Sequence, residues 1–571
     1  GNHTGVTELY LLDLKSGKSR QATSGEVPRS IRYPVVWAPD DRRIVIPKDT
    51  DGDEQNDIYV FDIETKRLSQ LTSAPKKQEI PIDVSADGNW VLFVSNRNGQ
   101  LNLFRVPLDG GEVEQLSEYA NPVYNAMFSP DGKRVAYIMN ESKDLKNLDV
   151  YVMDADGSDK RRVFRVREGS QEQVSDWSPD GKSLAVTSDA SGIDRPGILD
   201  LASGEVRWYG SKGVEEYAAG FSKKGGRLAT VRNLESAITP VVYDLKSGSA
   251  MRLRFPPGFA VGADFVDGDS KLVSLYTTPT RRAEMVLYDL KTHKMKTLVK
   301  AVYGDFDSSM FAQARHVWYP SSDGKRVPAI IYKPRGLKKD GKAGAVLYIH
   351  GGPTGQWLLN FDPYAQFLAD MGYIVLMPNV RGSTGYGVEW RDLNRMDWGG
   401  GDLDDVASGV EWLKRQGLID PSRVGVFGGS YGGYMTYMAV TKKPDLWKAG
   451  VAWVGISHLR TLYDSDMEHF RYYFREQMGE PDDNKELWED RSALNFADKM
   501  KAKLLMIHGV TDPRCPIEQA RIFKKRLDEL GRKEGVDYEY VELSKEGHGS
   551  TDIEQKVRAF KHLEKFFGES L

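Results

Sequence analysis

A turn phrase that returns every 44–49 residues through the first 300 positions predicts a β-propeller. A change near Asp305 to strands alternating with helices, and a Gly-x-Ser-x-Gly run behind a buried strand, predict that an α/β-hydrolase domain follows it.

The repeated phrase is an apolar residue, a small residue and an Asp/Gly turn. It reads Trp37-Ala38-Pro39-Asp40, Val84-Ser85-Ala86-Asp87-Gly88, Phe128-Ser129-Pro130-Asp131-Gly132 and Trp177-Ser178-Pro179-Asp180-Gly181. It then wears down to Phe221-Ser222-Lys223-Lys224-Gly225 and Phe265-Val266-Asp267-Gly268, with starts 47, 44, 49, 44 and 44 residues apart. An alternating strand follows each turn, as in Arg134 to Ile138. A second strand ends in Asp, as in Asp149 to Asp154, and a hairpin leads to a short last strand such as Val113 to Leu116. Four short strands per unit make one blade, and blades stack radially because a lone sheet cannot bury both faces. Six whole units follow a fragment, Glu8 to Leu14, that reads as the outer half of another blade, so seven blades are expected, the first incomplete. A β-sandwich is the alternative, but sandwiches do not repeat a turn phrase at fixed period. The expected division is 1–304 for the propeller and 305–571 for the catalytic domain.

Beyond Asp305 the expected buried strands are Ala345 to Ile349, Tyr373 to Met377, Val424 to Phe427, Gly450 to Val454, Leu504 to Ile507 and Tyr538 to Leu543. Helices are expected at Leu403 to Gln416, Tyr434 to Val440, Glu518 to Leu530 and Asp552 to Phe567.

Ser430 lies in Gly428-Gly429-Ser430-Tyr431-Gly432-Gly433, after a strand and before a helix. A strand–turn–helix elbow of this kind exposes the serine oxygen beside backbone N–H groups, so Ser430 is the expected nucleophile. A base and an orienting acid should follow it in the chain, in the order acid then histidine. His548, in Lys545-Glu546-Gly547-His548-Gly549 between the last strand and last helix, is the expected base. His508 reads as structural or site-lining, and His562 as solvated. Asp512, just beyond the strand ending at His508-Gly509, is the expected acid; Asp466 and Asp498 compete but follow no buried strand so closely. Tyr431 N–H should supply one oxyanion donor, and the glycine-rich loop His350-Gly351-Gly352-Pro353 the other.

Composition narrows the partners. A net charge of −4 without a Lys/Arg block argues against nucleic acid or an anionic membrane surface. No run of 18 apolar residues is present. Cys515 is the only cysteine, which excludes an intrachain disulfide and fits a cytoplasmic location. No metal-ligand spacing occurs, so neither a metal nor a cofactor is expected.

The motifs around Ser430, His350 to Pro353, Asn379-Val380-Arg381-Gly382-Ser383-Thr384-Gly385-Tyr386-Gly387, Asp512-Pro513-Arg514-Cys515-Pro516 and Gly547-His548-Gly549 carry a resemblance over essentially the whole chain. The chain resembles the prolyl oligopeptidase family of serine peptidases, and most of all its acylaminoacyl-peptidase branch. That resemblance implies Gly352 as the second oxyanion donor, a homo-oligomer, and Arg514 either holding a substrate carbonyl or making a salt bridge. Relatives usually begin with a segment packed on the hydrolase, whereas this chain starts inside a blade.

Two features are set aside. Asp49-Thr50-Asp51-Gly52-Asp53-Glu54 looks like a calcium loop, but its twelfth position is Val60, so a solvated hairpin is expected. Glu215-Glu216 resembles the acidic pair with which dipeptidyl peptidases bind an α-amino group, but its surroundings do not match. The expected activity is removal of N-acylated residues from short peptides, with the propeller excluding folded chains. The alternatives are a dipeptidyl or aminopeptidase and a non-catalytic propeller scaffold.

Overall fold

The structure is a computed structural model that describes residues 1, 5–28, 32–49, 52–337, 342–549 and 552–571. Its first part is a propeller. Four sheets of four antiparallel strands span Val36–Gln70, Glu79–Gln115, Asn125–Phe164 and Glu172–Trp208. Two further four-stranded units, from Glu215 to Arg252 and Phe259 to Val299, are fused into one sheet by a single parallel bridge, Ile238 to Phe259. Ahead of them Tyr10–Leu12 and Ser19–Gln21 form a two-stranded sheet, the half blade expected from the sequence.

The repeated phrase is a turn for a chemical reason. In the third full blade Ser129 Oγ donates to Asp131 Oδ1 at 2.6 Å, the Arg134 amide donates back to Ser129 Oγ at 3.0 Å, and Gly132 takes the positive φ of +69°. The same serine–aspartate bond recurs at Ser85/Asp87 and Ser178/Asp180. Apolar faces are then buried between blades. Leu92, Val94 and Leu103 of one blade pack with Phe128, Val135 and Tyr137 of the next. Each such large side chain contributes about 1.5–3 kcal/mol on burial.

The second part is one eight-stranded sheet. Numbering only its strands, these are β1 (Ala314–Pro320), β2 (Arg326–Tyr332), β3 (Ala343–Ile349), β4 (Ile374–Pro378), β5 (Ile419–Gly429), β6 (Ala449–Trp453), β7 (Lys503–Gly509) and β8 (Tyr538–Leu543). The spatial order is β1-β2-β4-β3-β5-β6-β7-β8; β1 and β2 run antiparallel, and β4 onwards are parallel. Helices cover both faces. Pro363–Asp370 and Ile553–Ser570 bury Leu368, Leu563, Phe566 and Phe567 on one side, and Gly401–Arg415, Tyr431–Lys442 and Glu518–Glu529 bury Val406, Met435 and Phe523 on the other. The ends of β3, β5, β7 and β8 therefore open at one edge, where open α/β sheets place their ligands.

Candidate active site

Ser430 sits where β5 turns into the helix Tyr431–Lys442, at φ +58° and ψ −121°. A side-chain-bearing residue held there stores about 1–3 kcal/mol of backbone strain, which the surroundings must enforce. The turn closes only on glycine: a Cβ on Gly428 would lie 2.4 Å from Gly432, and one on Gly432 would lie 2.2 Å from the Ile349 carbonyl oxygen. The end of β3 brings His350 to Pro353 alongside. A Cβ on Gly351 would stand 3.5 Å from Ser430 Cβ and 4.0 Å from its Oγ. Gly352 has φ +128°, accessible at little cost only to glycine. The two expected oxyanion donors, Gly352 and Tyr431, thus belong to segments that both touch Ser430. His350 is a support: its ring bonds the Gly351 carbonyl at 2.7 Å and Ser383 Oγ at 2.9 Å, and burial lowers its pKa to about 4.

Asp512 follows β7 with its side chain fully buried. Its carboxylate accepts from the amides of Arg514 and Cys515, both at 2.9 Å, and from His548 Nδ1 at 2.8 and 3.0 Å. Burial alone would raise the Asp512 pKa, but the charge and hydrogen bond of His548 outweigh it and hold the carboxyl below its usual range. An ionised Asp512 accepts, so Nδ1 of His548 carries the proton and Nε2 is left as the basic nitrogen. The two loops support each other, since the Thr511 amide donates to the Glu546 carbonyl at 3.0 Å. His508 stays structural, with Nε2 on the Cys515 carbonyl at 2.7 Å. Cys515 is buried against the Ser430 hydroxyl. Among the described residues no hydrogen bond joins Ser430 Oγ to His548; such bonds commonly close only around substrate. Asp498 is exposed in a short 3-10 helix.

The propeller reaches the catalytic loops through Glu54 and its neighbours. Arg514 binds Glu54 through Nε at 2.8 Å and Nη2 at 2.7 Å, making the salt bridge that the sequence left open against a substrate contact. Arg32 also pairs with Glu54 and donates to the His548 carbonyl. Tyr33 donates to Glu54 at 3.1 Å. A Cβ on Gly547 would meet the Gly52 carbonyl oxygen at 1.9 Å, so the two backbones touch. The solvated hairpin expected here is corrected accordingly: Glu54 is 2% exposed and held between two guanidinium groups, while Thr50 and Asp51 lie outside the described residues. Nothing local in the sequence marks this cluster beyond the acid-rich hairpin Asp49 to Glu54.

Two further buried groups lie near. Asp466 has its Oδ2 without a hydrogen-bond partner; burial raises its pKa well above the usual range, and the charge of Asp512 adds to the shift. His469 Nδ1 is likewise unpartnered, and burial lowers that ring to about 4. Glu215 and Glu216 do not act as a pair. Glu215 accepts from the Gly387 amide across the domains at 2.6 Å, whereas Glu216 is buried on Arg232 at 3.2 Å. Beside the oxyanion loop, a cavity of about 500 Å³ between propeller and hydrolase is lined by Tyr124, Gln173, Asp194, Tyr217, Thr354 and Tyr473, among others.

Comparison with known proteins agrees with this architecture. Residues 359–571 match the prolyl oligopeptidase family and residues 2–148 the TolB beta propeller domain. The chain is 27% identical to dipeptidyl aminopeptidase BIII of Pseudoxanthomonas mexicana, over 95% of this chain and 81% of that one. A puromycin-hydrolyzing peptidase of Mycobacterium tuberculosis superposes with a TM-score of 0.87 at 22% identity, covering 99% of this chain and 91% of the other. Acylaminoacyl peptidase of Pyrococcus horikoshii gives 0.70 at 22% identity, covering 99% and 94%. These structural likenesses are likenesses of fold.

Proposed function

We propose that the chain is a serine peptidase of the prolyl oligopeptidase family, whose model matches residues 359–571, and that it hydrolyses short peptides through Ser430, His548 and Asp512, releasing N-acylated residues. The residues divide as 1–304 for the propeller and 305–571 for the catalytic domain. Ser430 Oγ attacks the scissile carbonyl while His548 Nε2 takes its proton. The oxyanion is held by the Tyr431 and Gly352 N–H groups. His548 then protonates the leaving amine, and water cleaves the acyl-enzyme by the same relay in reverse. Asp512 keeps the ring oriented and stabilises its charged form.

The observation that carries the preference for a blocked terminus is electrostatic. Among the described residues, the three carboxylates set beside the catalytic loops are engaged or shifted towards the neutral form. Asp512 faces His548, Glu54 lies between Arg32 and Arg514, and burial drives Asp466 towards its neutral form. A free α-ammonium brought into such a site loses its water without meeting an unpaired anion. The unpartnered atoms Asp466 Oδ2 and His469 Nδ1 suit an amide instead. Arg514, one-third exposed, is assigned first to the interdomain ion pair and second to a substrate carbonyl.

One observation favours the alternative of a dipeptidyl peptidase. On the cavity wall the Tyr217 hydroxyl donates to Glu215 at 3.2 Å beside Asp194, whose pKa burial raises to about 7. The likeness to dipeptidyl aminopeptidase BIII points the same way. The lone buried thiol fits a cytoplasmic setting, and the family resemblance suggests self-association. Chromogenic acetyl-Ala and acetyl-Phe substrates compared with free Ala and Gly-Pro analogues decide between the readings. Blocked substrates should be cleaved with at least about tenfold higher kcat/KM, the factor equivalent to one unpaired polar contact. A faster free-amine dipeptide substrate establishes the alternative.

A further inference from the structure

Resting on the reading of Ser430 as nucleophile and the Tyr431 N–H as an oxyanion donor, we propose that Asp402 and Asn394 clamp the Tyr431 ring and thereby position that N–H. Tyr431 is the first residue of its helix, so its backbone faces the site while its side chain runs into the core, 1% exposed. There the hydroxyl donates to Asp402 Oδ2 and accepts from Asn394 Nδ2 at 2.9 Å. Both partners are fully buried. Neither belongs to the elbow. Asp402 is in the first turn of Gly401–Arg415, and Asn394 follows the short helix Val388–Asp392.

The partners are themselves fixed. Asp402 Oδ1 accepts from the Leu403 amide at 2.7 Å, and a Cβ on Gly382 would lie 2.7 Å from Asn394 Nδ2. Asn394 Oδ1 is buried without a partner, so the fold leaves one acceptor unsatisfied while the amide is committed to the phenol. Trp398 closes the ring's face, edge-on at 5.0 Å and 81°.

A shape-filling tyrosine needs none of this. Phenylalanine would fill the same apolar space, and burying Asp402 and Asn394 is unfavourable unless both are used. The strained φ of Ser430 supplies the use. A turn held at +58° persists only where its surroundings over-determine it, and the adjoining residue is the one gripped at two points. An oxyanion donor acts by being in place before charge develops, so a small displacement acts on the transition state rather than on substrate affinity. Asp402 and Asn394 touch neither substrate nor nucleophile; they are positioning residues.

Tyr431→Phe, which removes only the gripped hydroxyl, is the first test, and Asp402→Asn the second. The expected result for Tyr431→Phe is a kcat lowered roughly 10- to 100-fold with KM changed less than about twofold. Affinity for a peptide aldehyde, which forms the tetrahedral adduct, should weaken by the same factor, while fluorophosphonate labelling stays stoichiometric. A normal kcat and normal aldehyde affinity, with only a lowered Tm, overturns the proposal and leaves a structural tyrosine. Full activity in Ser430→Ala removes the premise instead, and the two failures are told apart by that control. Should Asp402→Asn fail to fold, Tyr431→Phe decides alone.

Discussion

The two halves of the molecule solve folding in opposite ways. The propeller is a set of near-equivalent sheets, each buried against its neighbours, so its stability is spread over local interfaces. The hydrolase is one sheet whose order departs from chain order, with strands β5 to β8 delivering loops to a common edge. In the hydrolase the chemistry lies in the motifs. In the propeller the motifs are turns, and the residues that pair with the catalytic loops, Arg32, Tyr33 and Glu54, lie outside the repeated phrase. The repeated phrase builds the scaffold; residues outside it touch the catalytic loops.

The largest effects should come from the hydrolase edge. Ser430→Ala is expected to lower kcat by roughly 10³–10⁶ and abolish fluorophosphonate labelling, and Asp512→Asn to lower it by roughly 10⁴. Persistent stoichiometric labelling of the alanine variant, or a silent Asp512→Asn beside an inactive Asp498→Asn, would place the chemistry elsewhere.

Next comes the Glu54 contact. Glu54→Gln leaves Arg32 and Arg514 facing each other without their shared anion, and kcat/KM for a ten-residue peptide should fall by about tenfold. The contact between propeller and hydrolase loosens with it, so cleavage of casein per susceptible bond should rise relative to that peptide. Unchanged size selection would show that this contact does not govern entry.

A pH effect of intermediate size separates the halves thermodynamically. His350 is buried in the hydrolase with a folded pKa of about 4, below its unfolded value near 6.5. Between those values the unfolded chain binds the extra proton, so stability is full above pH 6.5 and is lost as pH falls towards 4. The loss approaches about 3 kcal/mol, and His350→Gln should flatten it in Tm measured against pH. An acid limb identical in the variant would assign the loss to other groups.

The smallest effect belongs to the repeat. Asp131→Ala removes a turn bond and should cost about 1 kcal/mol of propeller stability with catalysis unchanged. If it impaired kcat as Glu54→Gln does, the distinction between the repeated phrase and the residues outside it would fail.

Legibility in the sequence follows the same division. Six of the hydrolase strands were readable within a few residues because parallel strands buried on both faces are continuous apolar runs. β1 and β2 were not, since an antiparallel pair at the sheet edge carries polar residues such as Arg315, His316 and Arg326. The helices Leu459–Ser465 and Glu468–Met478 escaped notice because their charged faces mask the period. The candidate residues Ser430, Asp512 and His548 could be named because the fold ties each to a particular strand end. Glu54 could not, because its partner Arg514 lies 460 residues away and no local pattern encodes that pairing.

Cys515 gives the molecule an internal clock. Burial raises this only thiol well above its ordinary pKa, so its reactive thiolate is scarce in the folded state. Alkylation of the native enzyme therefore waits on an opening of the loop that also holds Asp512, through the neighbouring amide bond. One modified residue per chain, timed by mass spectrometry against a free thiol standard, reads out the opening equilibrium of the acid loop without any introduced label.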